Sequence, residues 1–230
     1  VSHKFNIQLN KDEILRYLGY KNGMDIPIHL DELIDKSISN SYELIEPVGE
    51  YRTSRIKGIK GSNILFDEFD FKIHSEDIAT LLKGCDYASI LAVTIGNDIQ
   101  NHIDLCFSHG EYTEALIFDA IGSDAAEQAT EYVNQLIILE ASEQEYILTD
   151  RFSPGYGDFT LDFQKQLLLN LKADNFGIHV TETNIMIPRK SVTAIVGWTK
   201  GNKIIKTNNK CNTCNKNDCI YRYENSCLKR

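Results

Sequence analysis

What the chain lacks narrows its functions first. Its longest apolar stretch, "ASILAVTI" at 88–95, is too short to cross a bilayer. No basic-then-apolar leader opens it, so the expectation is a soluble, cytoplasmic protein with no membrane partner. It has no phosphate-cradling Walker-type loop and no dinucleotide fingerprint. Its six histidines are scattered and none forms a ligand-spaced pair, which leaves no candidate catalytic imidazole. No repeats and no internal linker interrupt it before "KTNNK" at 206–210.

Charge is present in quantity but unevenly placed. The formal balance of the 230 residues is −9. Residues 200–230 hold eight Lys/Arg against two Asp/Glu, a local +6 that leaves −15 on residues 1–199. An acidic body repels a phosphate backbone, so nucleic acid is an unfavoured partner. The basic tail is read either as a solvated, solubilising segment or as a contact for an acidic partner.

Helical and strand periods are mixed along the chain. "NKDEILRYLGY" (10–20) opens on a cap-type Asn10 with two acids in its first turn, followed by Ile14, Leu15 and Leu18 at helical spacing. "LDELIDKSISNSYELI" (30–45) repeats that pattern. Alternation takes over in residues 51–73, through Phe66, Phe69, Phe71 and Ile73 near a Gly61-Ser62 break, and predicts antiparallel strand pairs. "SEDIATLLKG" (75–84) predicts a short capped helix and "YASILAVTIG" (87–96) a buried strand. The longest helix is predicted from about Glu111 to Glu140, with a small-residue interior. A glycine within a helix costs about 1 kcal/mol against alanine, so Gly122 predicts that something packs close there. A second amphipathic helix is expected at 161–171, and two strands, "GIHVTETNIMI" and "SVTAIVGWT", around "PRK". The fold class is α+β: a single domain with a twisted, mainly antiparallel sheet and long helices, plus a Cys-rich C-terminal tail. The division is a body of residues 1–206 and a basic tail of 207–230. Trp198 and the Phe66–Phe71 stretch read as core.

"RFSPGYGDFTLDFQ" (151–164) concentrates unusual chemistry. Pro154 presets φ and Gly155 can take positive φ, a strong turn signal. Gly157 permits a second excursion or a close ligand approach. Asp158 or Thr160 can cap the helix that follows. Arg151 offers a planar fork of donors for a carboxylate, and Tyr156 a ring face and a hydroxyl. A structural turn with a surface arginine explains the same residues equally well.

The segment also resembles the Arg-x-x-Pro-Gly-Tyr motif of the activation (reactivation) domain of cobalamin-dependent methionine synthase. Upstream, "DAAEQATEY" (124–132) resembles that family's Ala-Glu-x-x-x-Glu-Tyr helix. Downstream, "GIHVTETNIMIPRKSV" (177–192) resembles its Gly-x-x-x-Thr-Glu-Ser/Thr…Met-x-Pro-x-x-Ser-Val segment. The three motifs share order and similar spacing over about Asp119 to Gly197, and the Pro-Gly-Tyr-Gly-Asp form is similar to the standalone members. The resemblance implies a subunit that binds S-adenosylmethionine and supports reductive methylation of an oxidised cobalamin. That cobalamin would be carried by a corrinoid-binding synthase subunit, with a flavoprotein as a possible electron donor. It implies that Arg151 meets the methionyl carboxylate, Ser153 and Gly155 the nucleoside, Tyr156 the pocket wall and Glu127 the ligand's positive charge. Glu127 reads otherwise as one member of a solvated acidic stripe with Asp124 and Glu131. The family's late tyrosine falls where this chain reads "TKGNKIIK", and its N-terminal ligand aspartate has no matching position.

"KCNTCNKNDCIYRYENSCLKR" (210–230) carries Cys211, Cys214, Cys219 and Cys227 at C-x2-C-x4-C-x7-C. Two thiolates in C-x2-C reach one metal from a single turn and two more complete a tetrahedral set, for zinc or an iron–sulfur cluster. A flexible tail of reduced thiols is the simpler reading. Cys85 and Cys106 read as inert packing. A function of another class, an S-adenosylmethionine-sensing or zinc-knuckle regulatory module without methyl transfer, fits the tail but makes less use of the Arg151 motif.

Overall fold

The alternating stretch after residue 48 does form antiparallel pairs, and everything else packs around them. The computed structural model describes residues 3–21 and 23–200; the four tail cysteines lie outside the described residues. Strand β1 (His3–Lys4) pairs with β2 (Val48–Lys60), which also pairs with β3 (Asn63–Phe66) and β5 (Tyr87–Thr94). β4 (Ile73–His74) extends the β3 side, while β9 (Ser191–Thr199) and β6 (Ile147–Leu148) extend the β5 side. The result is a seven-stranded sheet, order β4-β3-β2-β5-β9-β6 with β1 on β2, antiparallel at every pairing. The fold is α+β, as expected.

Period-two alternation divides the two central strands between the sheet's faces. Leu91, Val93, Ala194, Val196 and Trp198 face one core; Ala88, Ile90, Ala92 and Ile195 face the other. The first core is closed by α1 (Lys11–Tyr17), α2 (Ile28–Ser41), α4 (Asp98–His109) and α5 (Tyr112–Glu143), the second by α3 (Glu76–Leu81) and α6 (Phe163–Leu171). Trp198, Phe66 and Phe69 are buried, as their sequence context predicts. Among the described residues no helix is long and apolar enough to cross a membrane.

Local chemistry accounts for most of the boundaries. Asn10 caps α1 through its side chain, accepting from the amides of Asp12 and Glu13, and Ser75 caps α3 by accepting from Ile78 N. At Gly122 the close neighbour is the stem of Lys190: a Cβ there would stand 3.1 Å from Lys190 Cε and 3.4 Å from Ile99 Cδ1. Lys190 crosses the helix at this notch to reach Asp119 and Ser123.

Four local expectations are revised. The sequence pattern assigns nothing to residues 97–110, where the structure forms α4 on a narrow buried face of Ile99, Ile103 and Cys106. "GIHVTETNIMI" is not one strand but a small hairpin, β7 (His179–Val180) with β8 (Met186–Ile187). The Thr181 hydroxyl accepts from Ile185 N at 3.1 Å, so a side chain takes over what a continuous ladder would need. Neither Asp158 nor Thr160 caps α6; the N-cap position is Asp162, without a side-chain bond. Asp124 is not part of a solvated stripe, because it is 1% exposed and accepts from Asn10 N at 2.7 Å.

Candidate functional site

The backbone before the Pro-Gly turn is held on the edge of β9. Thr149 N donates to Gly197 O and Gly197 N to Thr149 Oγ1; Phe152 and Ile195 then exchange two backbone bonds of 2.9 Å each. Successive side chains on such an edge point to opposite faces. Phe152 turns toward the second core beside Phe159, and Arg151 turns toward α5.

There the guanidinium meets two acids one helical turn apart. Arg151 Nη2 donates to Glu127 Oε1 at 2.5 Å, while Nη1 lies 3.5 Å from Glu131 Oε2. The arginine side chain is 21% exposed and the two acids about half exposed, at 54% and 47%. Nη1 itself is buried and makes no hydrogen bond. A buried donor without an acceptor forfeits roughly 1–3 kcal/mol, and native structures seldom leave one idle.

The turn beyond is a tight internal loop. Gly155 N donates to Phe159 O at 2.7 Å and Phe159 N to Tyr156 O at 3.1 Å, which buries Phe159 and leaves Tyr156 59% exposed at the rim. Gly155 and Gly157 take φ of +95° and +53°, the excursions their sequence positions predict. Asp158 reaches away from this loop to the start of α3, accepting from the Ser75 hydroxyl, from Glu76 N at 2.5 Å and from Asp77 N at 3.2 Å. The Asp77 carboxylate answers by accepting from Asp158 N.

These elements enclose a cavity of about 290 Å³ between α5, the turn, α6, β8 and β9. Glu127, Arg151, Ser153 and Tyr156 line it; Gly155 shapes the loop without lining it. Sequence reasoning did not single out Thr130, Gln164, Met186 or Thr193, which share the wall. Gln164 and Thr193 are buried and bonded to each other, so their polar groups fix the floor. Burial pushes the nearby Asp124 carboxyl above the usual carboxylate range, against the opposing bonds from Asn10 and Gln128. A larger hollow of about 590 Å³ beside Ile59, Lys83 and Gly84 has no comparable convergence of charged groups. The smaller cavity is the candidate site.

No protein-family model matches the chain, and no curated protein matches its sequence. Among solved structures the chain is similar to a crystal structure of the MetH reactivation domain bound to AdoHcy. The TM-score is 0.61 at 14% identity, over 86% of this chain and 77% of that one. The fold of the chain therefore resembles that of the MetH reactivation domain.

Proposed function

We propose that the chain binds S-adenosylmethionine in the Arg151 cavity and serves as a reactivation-type subunit for a separate, corrinoid-carrying methionine synthase. The observation that carries this reading is the arginine flanked by two acids at the cavity wall, with one buried donor unspent. The methionyl end of S-adenosylmethionine is an α-amino-acid zwitterion. In this reading Arg151 Nη1 meets its carboxylate, and Glu127 with Glu131 its ammonium or the neighbouring sulfonium. The similarity to a domain crystallised with AdoHcy, the demethylated counterpart, supports the same ligand class.

In this reading the bound S-adenosylmethionine supplies the methyl group that the partner's cobalamin accepts once an electron has arrived from a separate donor, such as a flavoprotein. The chain's own residues bind and orient. Arg151 and the two glutamates hold the amino-acid end, the Ser153 backbone meets the nucleoside on a loop whose shape Gly155 sets, and the Tyr156 ring covers the open rim. Catalysis is then mostly positioning in a site shielded from water. The cysteine-rich segment 207–230 is read as a metal site for zinc or an iron–sulfur cluster, which anaerobic absorption and EPR spectra separate.

Calorimetry with S-adenosylmethionine and with AdoHcy tests the site. Arg151→Ala is expected to weaken both by about 2 kcal/mol or more, roughly thirtyfold in Kd. Titrations that do not change in this variant would remove the cavity assignment. The isolated chain is expected to make no methionine from homocysteine and a methyl donor, and formation of methionine would contradict the partner role.

A further inference from the structure

The tight α4–α5 turn brings together a second group of metal-ligating side chains that the cavity does not use. His102 and Cys106 stand at i and i+4 on α4, on one face of the helix. Gly110 ends α4 in the left-handed conformation, Glu111 N donates to Cys106 O at 2.9 Å, and α5 starts at Tyr112. This reversal turns Glu114, in the first turn of α5, back toward the pair. One ligand atom from each of His102, Cys106 and Glu114 lies within 4.8 Å of the other two. Cys106 Sγ is 3.6 Å from His102 Nε2. That matches the roughly 3.5 Å edge expected between sulfur and nitrogen in a tetrahedral zinc site with bonds of about 2.3 and 2.0 Å.

The geometry points to a divalent metal site of zinc type at His102, Cys106 and Glu114, with a water completing the tetrahedron. The ordinary explanation of Glu114 is a first-turn acid that favours the α5 dipole. It does not account for a buried thiol, an imidazole and a carboxylate converging on one point. The His102 ring is oriented by an edge contact with Phe118, 4.2 Å between centroids, so one ligand is held before any ion arrives. A cation also suits the last turn of α4, where the carbonyl ends of the helix concentrate negative charge. One imidazole, one thiolate and carboxylate oxygens form a mixed set that suits zinc better than calcium or magnesium. Binding converts the thiol to thiolate and releases one proton to solvent. The site lies roughly 20 Å along α5 from Glu127, at about 1.5 Å per residue, so it is separate from the Arg151 cavity.

The test uses the 230-residue chain with Cys211, Cys214, Cys219 and Cys227 each replaced by serine, which removes the tail as a competing ligand. Cobalt(II) titration is expected to give one bound equivalent, with the visible bands of a four-coordinate ion and a thiolate-to-cobalt charge-transfer band. Zinc should displace it stoichiometrically. Cys106→Ser should abolish the charge-transfer band. His102→Gln and Glu114→Gln, at half-buried positions, should each weaken binding at least about tenfold with unchanged far-UV circular dichroism. Absence of a bound equivalent in the tail variant overturns the proposal, as does a charge-transfer band and affinity unmoved by His102→Gln.

Discussion

Arg151 shows how a single residue depends on its anchoring. A fork of donors is useful for a carboxylate only if its direction is fixed, and the paired bonds of Phe152 with Ile195 fix it. Arg151→Lys keeps the charge but replaces the fork by a flexible point donor, so binding of S-adenosylmethionine is expected to weaken in calorimetry despite the conserved charge. Directly after the rim residue Tyr156, Gly157 has φ of +53°, and a Cβ there would overlap the Asp77 carboxylate. Gly157→Ala is expected to cost about 1–3 kcal/mol, read as a lower urea midpoint. Gly177→Ala is the control: φ is also positive, at +84°, but nothing lies within 4 Å. It should cost less, and equal losses would show that backbone strain alone, without the Asp77 clash, sets the penalty.

At the scale of elements, the cavity loop and α3 are tied by Asp158 and Asp77, each carboxylate accepting from the other's backbone neighbourhood. The short α3 has two caps, Ser75 at its own N-cap position and Asp158 from 82 residues away. The Ser75 hydroxyl first, and the amides of Glu76 and Asp77 after it, hold the Asp158 carboxyl below the usual carboxylate range. A depressed folded-state pKa contributes stability that is complete above the unfolded value of about 3.9 and is lost as pH falls through the folded value. Asp158→Asn should therefore melt below the parent protein at neutral pH, and the gap should close in strong acid. A gap independent of pH would mean that the carboxylate charge is not what caps the helix.

On the scale of the whole molecule, the two cores share β5 and β9, each core taking one face of the same strands. Trp198, the chain's single tryptophan, is 1% exposed in the core under α5, and Ile90, fully buried, faces the opposite one. Ile90→Ala is expected to cost about 2–5 kcal/mol. Because the strands are shared, Trp198 fluorescence and far-UV circular dichroism should shift together in a denaturant titration as one transition. Two separated midpoints would show that the layers unfold independently. The same sharing places the cavity, because α5, α6 and the edge segment carrying Arg151 all meet at β9.

Where interactions span only a few residues, the sequence was sufficient. The Asn10 and Ser75 caps, the alternation after residue 51 and the helical period of α5 act within one turn or one pleat, so residue order alone specifies them. Positive φ at Gly155 and Gly157 was legible for the same reason, and Gly122 announced a close neighbour without naming Lys190. Tertiary structure decided the rest. Asp158 looks like a cap for the helix after it, but its free energy lies with α3, 82 residues earlier. Asp124 and Glu127 look alike on one helix, yet only packing of the Asn10 segment buries the first and leaves the second beside Arg151. His102 and Cys106 are an i, i+4 pair that the sequence contains, but Glu114 joins them only because α4 and α5 pack antiparallel across Gly110. Periodicity and capping report what a residue does within its own element; which elements touch is set by the burial of the shared sheet.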